Sequence, residues 1–397
     1  MSVDLGMLAL EDGNPIDFPR LRAERRARCM EAMERRGVDV LLLGRDSNAR
    51  YVSGHRRLWY AGTRPFSPGC VVVRSTGEVH VSTIHADGVP PEISRDQLFA
   101  FAWSPATFLD SIGRIDGVSE ARRVAVDGMT PTFARLLPQV LPNAEWADGE
   151  QLMCEARSVK TPDEIACLRL AVAISESAFQ EVVAAIRPGR SERELVGRFA
   201  EALARRGATI PSMEGMFCAT PTKAESSSAE PSATLPLRRL PTDRLLCEGE
   251  LVAIDSGAMY AGYEGGVGRT WPCGKRSSPA QRDLHARWRT VMDALLGACR
   301  SGNPISAVRQ AHQATGEPLP PFSIVYGMGL GVEPPLAGVH VDSALERRWL
   351  LQPNNVLSLQ TYVWQEAVGG YFGREIIVVT EARAQRLSTL DDGPLSA

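Results

Sequence analysis

Apolar positions in the first half of the chain alternate between helical and strand spacing. A basic amphipathic stretch at 19–36 predicts a helix that stops at Gly37, and the apolar run 38–43 reads as a buried strand. Runs 70–74 and 78–82 are rich in β-formers and flank Ser75-Thr76-Gly77, which predicts a hairpin. Another short strand is expected at 124–127, with a helix starting near Pro131. Thr161-Pro162-Asp163-Glu164 combines an N-cap, a proline at the first helical position and the glutamate of a capping box. It should launch a helix whose apolar positions (Ile165, Leu168, Val172, Phe179, Val182) keep a helical period until Pro188-Gly189. Ser191 and Glu194 form a second capping box, opening a helix to about Arg206. The expected boundary lies just before Lys160, giving units 1–159 and 160–397.

Residues 211–241 are rich in Ser, Pro, Thr and Ala with little periodicity, which reads as a long loop. Beyond it, 250–255 and 260–271 resemble paired strands, 279–299 a helix, and 356–363 and 375–380 further strands. The expected class is an α/β N-terminal domain followed by an α+β domain.

Composition narrows the function classes. The 397 residues are 44% hydrophobic and 23% charged, ordinary for a globular protein large enough for two cores. A net charge of -3 with interspersed signs gives no footprint for nucleic acid or an anionic membrane. No apolar run approaches a membrane span, and the acidic N-terminus is unlike a signal peptide. Eight cysteines lack any CxxC spacing, arguing against zinc and a disulfide framework and fitting a reducing cytoplasm.

Four stretches in order then carry a resemblance. Arg157 to Ile165 forms the first, and Cys247-Glu248-Gly249-Glu250, Asp255-Ser256-Gly257, Gly262-Tyr263 and Arg269-Thr270 form the second. Tyr326-Gly327-Met328-Gly329-Leu330-Gly331 with Glu333-Pro334-Pro335 is the third, and Pro353 to Gln360 with Gly370 to Thr380 the last. Together these resemble the creatinase, prolidase and methionine-aminopeptidase family, with its "pita-bread" C-terminal domain, an antiparallel sheet covered by helices. In the family's peptidases two Asp, one His and two Glu hold two metals. The resemblance places these ligands at Asp255, Gly266, Met328, Gln360, and Arg374 or, with a one-residue slip, Glu375. Glycine offers no donor, a thioether suits hard divalent ions poorly, and an amide is neutral. The resemblance therefore implies a metal-deficient member, with no bound metal or other cofactor expected.

Creatinase uses this fold without metal, through a histidine and carboxylates. Here the neighbourhood expected for that histidine reads Leu237-Arg238, and Gly268 stands where a carboxylate precedes Arg269-Thr270. Four residues remain as candidates for catalysis: Asp255, Glu264, Gln360 and Glu375. Asp255 is a general base, a site for a substrate cation, or a strand-end carboxylate; Glu264 is a relocated acid or a solvated hairpin residue. Gln360 could donate to a substrate carbonyl, and Glu375 faces the site or the outer side according to register. Tyr326, Met328 and Glu333 are expected to line it. In the first domain Trp59, Tyr60, Arg64 and Phe66 resemble a creatinase segment that reaches across a dimer to clamp a substrate carboxylate through Arg. The resemblance thus implies a homodimer whose N-terminal domain completes the partner's pocket.

Three functions follow. The first is metal-independent action on a small carboxylate-bearing, amino-acid-like substrate, by C–N hydrolysis or by an elimination or cyclisation begun with proton abstraction. The second is a non-catalytic ligand- or protein-binding relative, and the third a metallopeptidase of the Xaa-Pro type.

Overall fold

The structure is a computed structural model, and it describes residues 16–55, 68–83, 86, 88–100, 102–208, 210–224, 235–274 and 276–390. The chain divides into two compact units, 1–157 and 158–397. In the first unit the order is α1 (Phe18–Arg35), β1 (Val40–Leu43), α2 (Asp46–Ser53), β2 (Cys70–Val73), β3 (Glu78–Ser82) and β4 (Leu98–Phe99). There follow α3 (Pro105–Gly113), β5 (Arg123–Val126), α4 (Pro131–Val140), β6 (Glu145–Asp148) and α5 (Gly149–Ser158). The strands form a six-stranded sheet in the order β4-β3-β2-β1-β5-β6. It is mixed, because the hairpin strands pair antiparallel while β1, β5 and β6 run parallel.

Local chemistry explains where the first unit's helices begin. Asp17 accepts the Arg20 amide at 3.0 Å at the start of α1, and Thr130 caps α4 ahead of Pro131. The sequence pattern missed α2, α3, β6 and α5. Asp127 holds the entry to α2, accepting from the amides of Gly44 at 2.6 Å and Arg45 at 3.2 Å and from Asn48 at 2.9 Å. That cap comes from residues about 80 positions away, so no local signature announces it.

The second unit begins with α6 (Pro162–Val183) and α7 (Glu192–Arg205), each opened by the anticipated capping box. The α6 helix ends at Val183, a turn before the expected Pro188-Gly189 stop. Next come β7 (Ile210–Pro211), β8 (Met216–Ala219), β9 (Leu251–Tyr260), β10 (Tyr263–Pro272) and α8 (Pro279–Ala298). The chain closes with α9 (Ser306–Ala314), β11 (Ser323–Gly329), β12 (Gly331–Gly338), α10 (Ser343–Arg348), β13 (Val356–Gln365), β14 (Gly369–Val379) and β15 (Ala384–Arg386). The nine strands of this sheet all pair antiparallel, along the order β12-β11-β13-β14-β10-β9-β7, with β8 on β9 and β15 on β14. The 211–241 loop is corrected in part. Met216–Ala219 is a buried strand, its register joining Met216 to Asp255, which four residues of unperiodic sequence could not announce.

Strand parity gives the sheet two unlike faces. Odd-numbered residues of β13 and β14, including Leu357, Leu359, Tyr371 and Ile377, pack with Trp288, Val291 and Leu295 of α8. Glycines permit the closest helix approaches. A Cβ on Gly265 would lie 2.2 Å from the Ala171 carbonyl carbon of α6, and one on Gly373 would lie 2.2 Å from the Trp288 ring. The opposite face carries Asp255, and among the described residues no helix is long and apolar enough to cross a membrane.

His312 of α9 is fully buried, with Nε2 3.1 Å from Thr361 Oγ1 on β13. Burial lowers its imidazole from the ordinary 6.5 to about 4, although Glu317 pulls it upward. A histidine depressed in the folded state leaves stability intact above about 6.5 and erodes it as pH falls toward about 4, where the unfolded chain binds the proton first. The urea midpoint should therefore drop between pH 7 and pH 4.5, and His312→Gln should drop less. Equal pH slopes in the two proteins would remove His312 from the acid response.

Candidate functional site

The site lies on five adjacent strands, β11, β13, β14, β10 and β9. Register pairs Asp255 of β9 with Gly268 of β10, Gly268 with Arg374 of β14, and Arg374 with Gln360 of β13. Residues directly opposite share a face, so Asp255, Arg374 and Gln360 project to the same side. Gly266 and Glu264 join them by the two-residue period of β10, and Tyr326 joins through its pairing with Ser358. Met328, two residues on, shares that side and is buried.

Arg374 occupies the centre. Its Nε is 2.9 Å from Asp255 Oδ1, an ion pair in which the N–H is not aligned for a hydrogen bond. Its Nη1 donates to Tyr326 Oη at 3.0 Å, and Nη2 reaches the Ser256 carbonyl at 3.5 Å. Both Asp255 and Arg374 are fully buried. Burial pulls the guanidinium's pKa down, but Asp255, Tyr326 and Glu264 outweigh it, so Arg374 is held above its ordinary value. Burial also pushes the Asp255 carboxyl up, against the pull of Arg374 and then Arg239. A carboxylate this deep would be strongly destabilising without its partner.

The space Arg374 fills is the space that a side chain at 266 would take. A Cβ on Gly266 would lie 1.7 Å from Arg374 Nη2 and 2.4 Å from Cζ. A side chain at 266 and the Arg374 guanidinium thus compete for one space. Metal ligation does not fit these residues: of the five positions only Asp255 carries a carboxylate, and a cation already lies against it. Among the described residues no group of three His, Cys, Asp or Glu side chains could hold a metal ion.

The register also assigns the other candidates. Glu264 is half-buried, and among the described residues it has no hydrogen bond or ion pair; burial raises its carboxyl, with Arg374 pulling it down. Gln360 Nε2 donates to the Ser323 carbonyl at 2.8 Å, which engages one of its two amide N–H groups. Glu375 is a correction. It lies on the helix-covered face, paired with Arg269, whose Nη1 donates to the carbonyls of Gly268 at 2.8 Å and Arg374 at 3.0 Å and whose Cζ sits 5.7 Å over the Trp288 ring. Glu333 is a second correction: it pairs with Gly327, on the face away from Tyr326, and forms a buried ion pair with Lys160. Trp59, Tyr60, Arg64 and Phe66 lie outside the described residues.

Sequence reasoning missed Arg239. It is exposed, with Nη2 3.7 Å from Asp255 Oδ2 and Cζ 5.6 Å from the Phe322 ring centroid. An arginine in an unperiodic stretch carries no local signal of where it folds back.

Comparison with known proteins agrees with this geometry at the level of fold and family. The profile of the creatinase/prolidase N-terminal domain matches residues 25–159, and that of metallopeptidase family M24 matches residues 166–381. The chain is 20% identical to an Xaa-Pro dipeptidase of Pyrococcus horikoshii, over 92% of this chain and 97% of that protein. It is 24% identical to a creatinase of a Bacillus species, over 93% of this chain and 91% of the relative. The crystal structure of a recombinant prolidase from Thermococcus sibiricus superposes with a TM-score of 0.73 at 18% identity, covering 95% of this chain and 98% of that one. The M24 match spans more than half of the sequence, and the chain belongs to metallopeptidase family M24, with a creatinase/prolidase N-terminal domain ahead of it.

Proposed function

We propose that this chain is a metal-independent hydrolase on the M24 fold, cleaving a C–N bond in a small, carboxylate-bearing, amino-acid-like substrate. One observation carries the reading: the Arg374 guanidinium lies between Asp255 and Tyr326, in the space that a side chain at 266 would need. A fixed guanidinium supplies positive charge without a coordination shell, and charge placed in advance is what stabilises a developing oxyanion. Glu264 is the group suited to move a proton, being half-buried, unpaired among the described residues and shifted toward neutral pH by burial. Asp255 acts through Arg374, holding it in place. The peptidase and creatinase relatives support a hydrolytic C–N reaction.

A second reading, a non-catalytic binding protein, draws on the complete burial of both Asp255 and Arg374. Hydrolysis of a panel of dipeptides (Xaa-Pro included), N-acyl amino acids and guanidino acids separates the readings. The expected result is turnover of at least one compound, unchanged by EDTA or added Mn²⁺, and lost in Glu264→Gln with its thermal unfolding intact. Turnover only with added metal, or stoichiometric divalent ion in the loaded protein, would establish the metallopeptidase reading instead. No turnover, with compounds still raising the unfolding temperature, would establish the binding one.

The steric link between positions 266 and 374 is testable by itself. Gly266→Ala should cost about 1–3 kcal/mol, as overpacking does. Arg374→Met, which leaves the buried Asp255 without its close partner, should cost about 3–5 kcal/mol. In the double variant the methyl group no longer meets the guanidinium, so its cost should fall short of the sum by about 1 kcal/mol or more. Strict additivity in urea unfolding would show that the two positions do not share one space.

A further inference from the structure

Arg239 is cationic, accessible and under-used. Its side chain is 44% exposed, and among the described residues it makes no hydrogen bond, only the 3.7 Å approach to Asp255 and the cation–π contact with Phe322. Asp255 already has a nearer partner in Arg374 at 2.9 Å, so neutralising Asp255 does not account for Arg239. At 3.7 Å the approach to the buried carboxylate is beyond hydrogen-bonding distance, so it leaves the donors of Arg239 unused. The Phe322 ring beneath Cζ gives the guanidinium a cation–π contact that uses none of its N–H donors, and a guanidinium with free donors suits a carboxylate in bidentate geometry.

The surroundings define the rest of the ligand. Phe322 is half-buried and meets Phe372 at 5.8 Å between ring centroids, inclined at 64°. Both pack with Leu235, Leu237 and Tyr362 on the Asp255 face. A carboxylate held at Arg239 therefore has an apolar, partly aromatic wall beside it. Asp255, buried behind Arg239, provides no open acceptor for a ligand ammonium group at that point.

We infer that Arg239 is the specificity-determining carboxylate anchor of this site, selecting N-substituted amino acids whose side chain is apolar and rests against Phe322. The inference rests on the proposed function only in using the same face; it concerns binding and does not require turnover or the absence of metal. It also assigns the anchor to the chain that carries Asp255, whereas Arg64 was expected to reach in from a partner.

The full-length protein, treated with EDTA, is titrated calorimetrically with N-acetyl-L-phenylalanine and with its amide. The acid should bind and the amide should bind at least tenfold more weakly. Arg239→Ala should weaken the acid at least tenfold while leaving circular dichroism and thermal unfolding unchanged, as expected for an exposed side chain. Arg239→Lys, which keeps the charge but not the planar fork, should bind several-fold more weakly than wild type. Phe322→Ala should weaken N-acetyl-L-phenylalanine more than N-acetylglycine. Equal binding of acid and amide, no binding of either, or unchanged affinity in Arg239→Ala would overturn the assignment. So would loss of acid binding in Arg64→Ala but not in Arg239→Ala. Failure of the chelator experiment would leave these outcomes unaffected, so the two ideas fail separately.

Discussion

The ion pair between Arg374 and Asp255 joins strands far apart in sequence, β14 and β9, across the intervening β10. Two fully buried charges are tolerated only because each compensates the other and the Tyr326 hydroxyl oxygen accepts a hydrogen bond from the guanidinium. Gly266 of β10 is what this arrangement requires. With no side chain at 266 or 268 the guanidinium can lie across the strand; a Cβ at 268 would meet the Phe372 ring at 2.6 Å, and one at 266 would meet Arg374 itself. The chemistry available to the face follows: a resident cation at its centre, a half-buried acid at Glu264, and a second cation at Arg239.

The two sides of the same sheet use charge differently. On the helix-covered side Glu375 pairs with Arg269 and Glu333 with Lys160, all four buried. Removing any one of the four would leave its partner as an uncompensated buried charge. On the Asp255 side the buried pair is flanked by Glu264 and Arg239, which have no hydrogen-bonding partners among the described residues. Consecutive residues Arg374 and Glu375 thus serve opposite purposes because successive side chains of a strand point to opposite faces. Membership of family M24 does not by itself fix the chemistry, since a fold hosts chemistry only through the side chains set upon it.

What the sequence determined by itself was local or dictated by motif. The capping boxes at Thr161 and Ser191 act over three residues, and both helices begin where those residues require. The paired strands around Asp255 were equally legible, because they depend on residue type within a recognisable motif. Tertiary structure alone decided what each surviving polar group does. Whether Glu375 or Arg374 faced the site turned on a single step of register, and a period of two makes that step all-or-none. Glu333 was claimed by Lys160 from 173 residues away, and Arg239 was carried beside Asp255 by a stretch with no periodicity. Strand pairing and charge compensation act between segments remote in sequence, so their outcome appears only once the chain has folded.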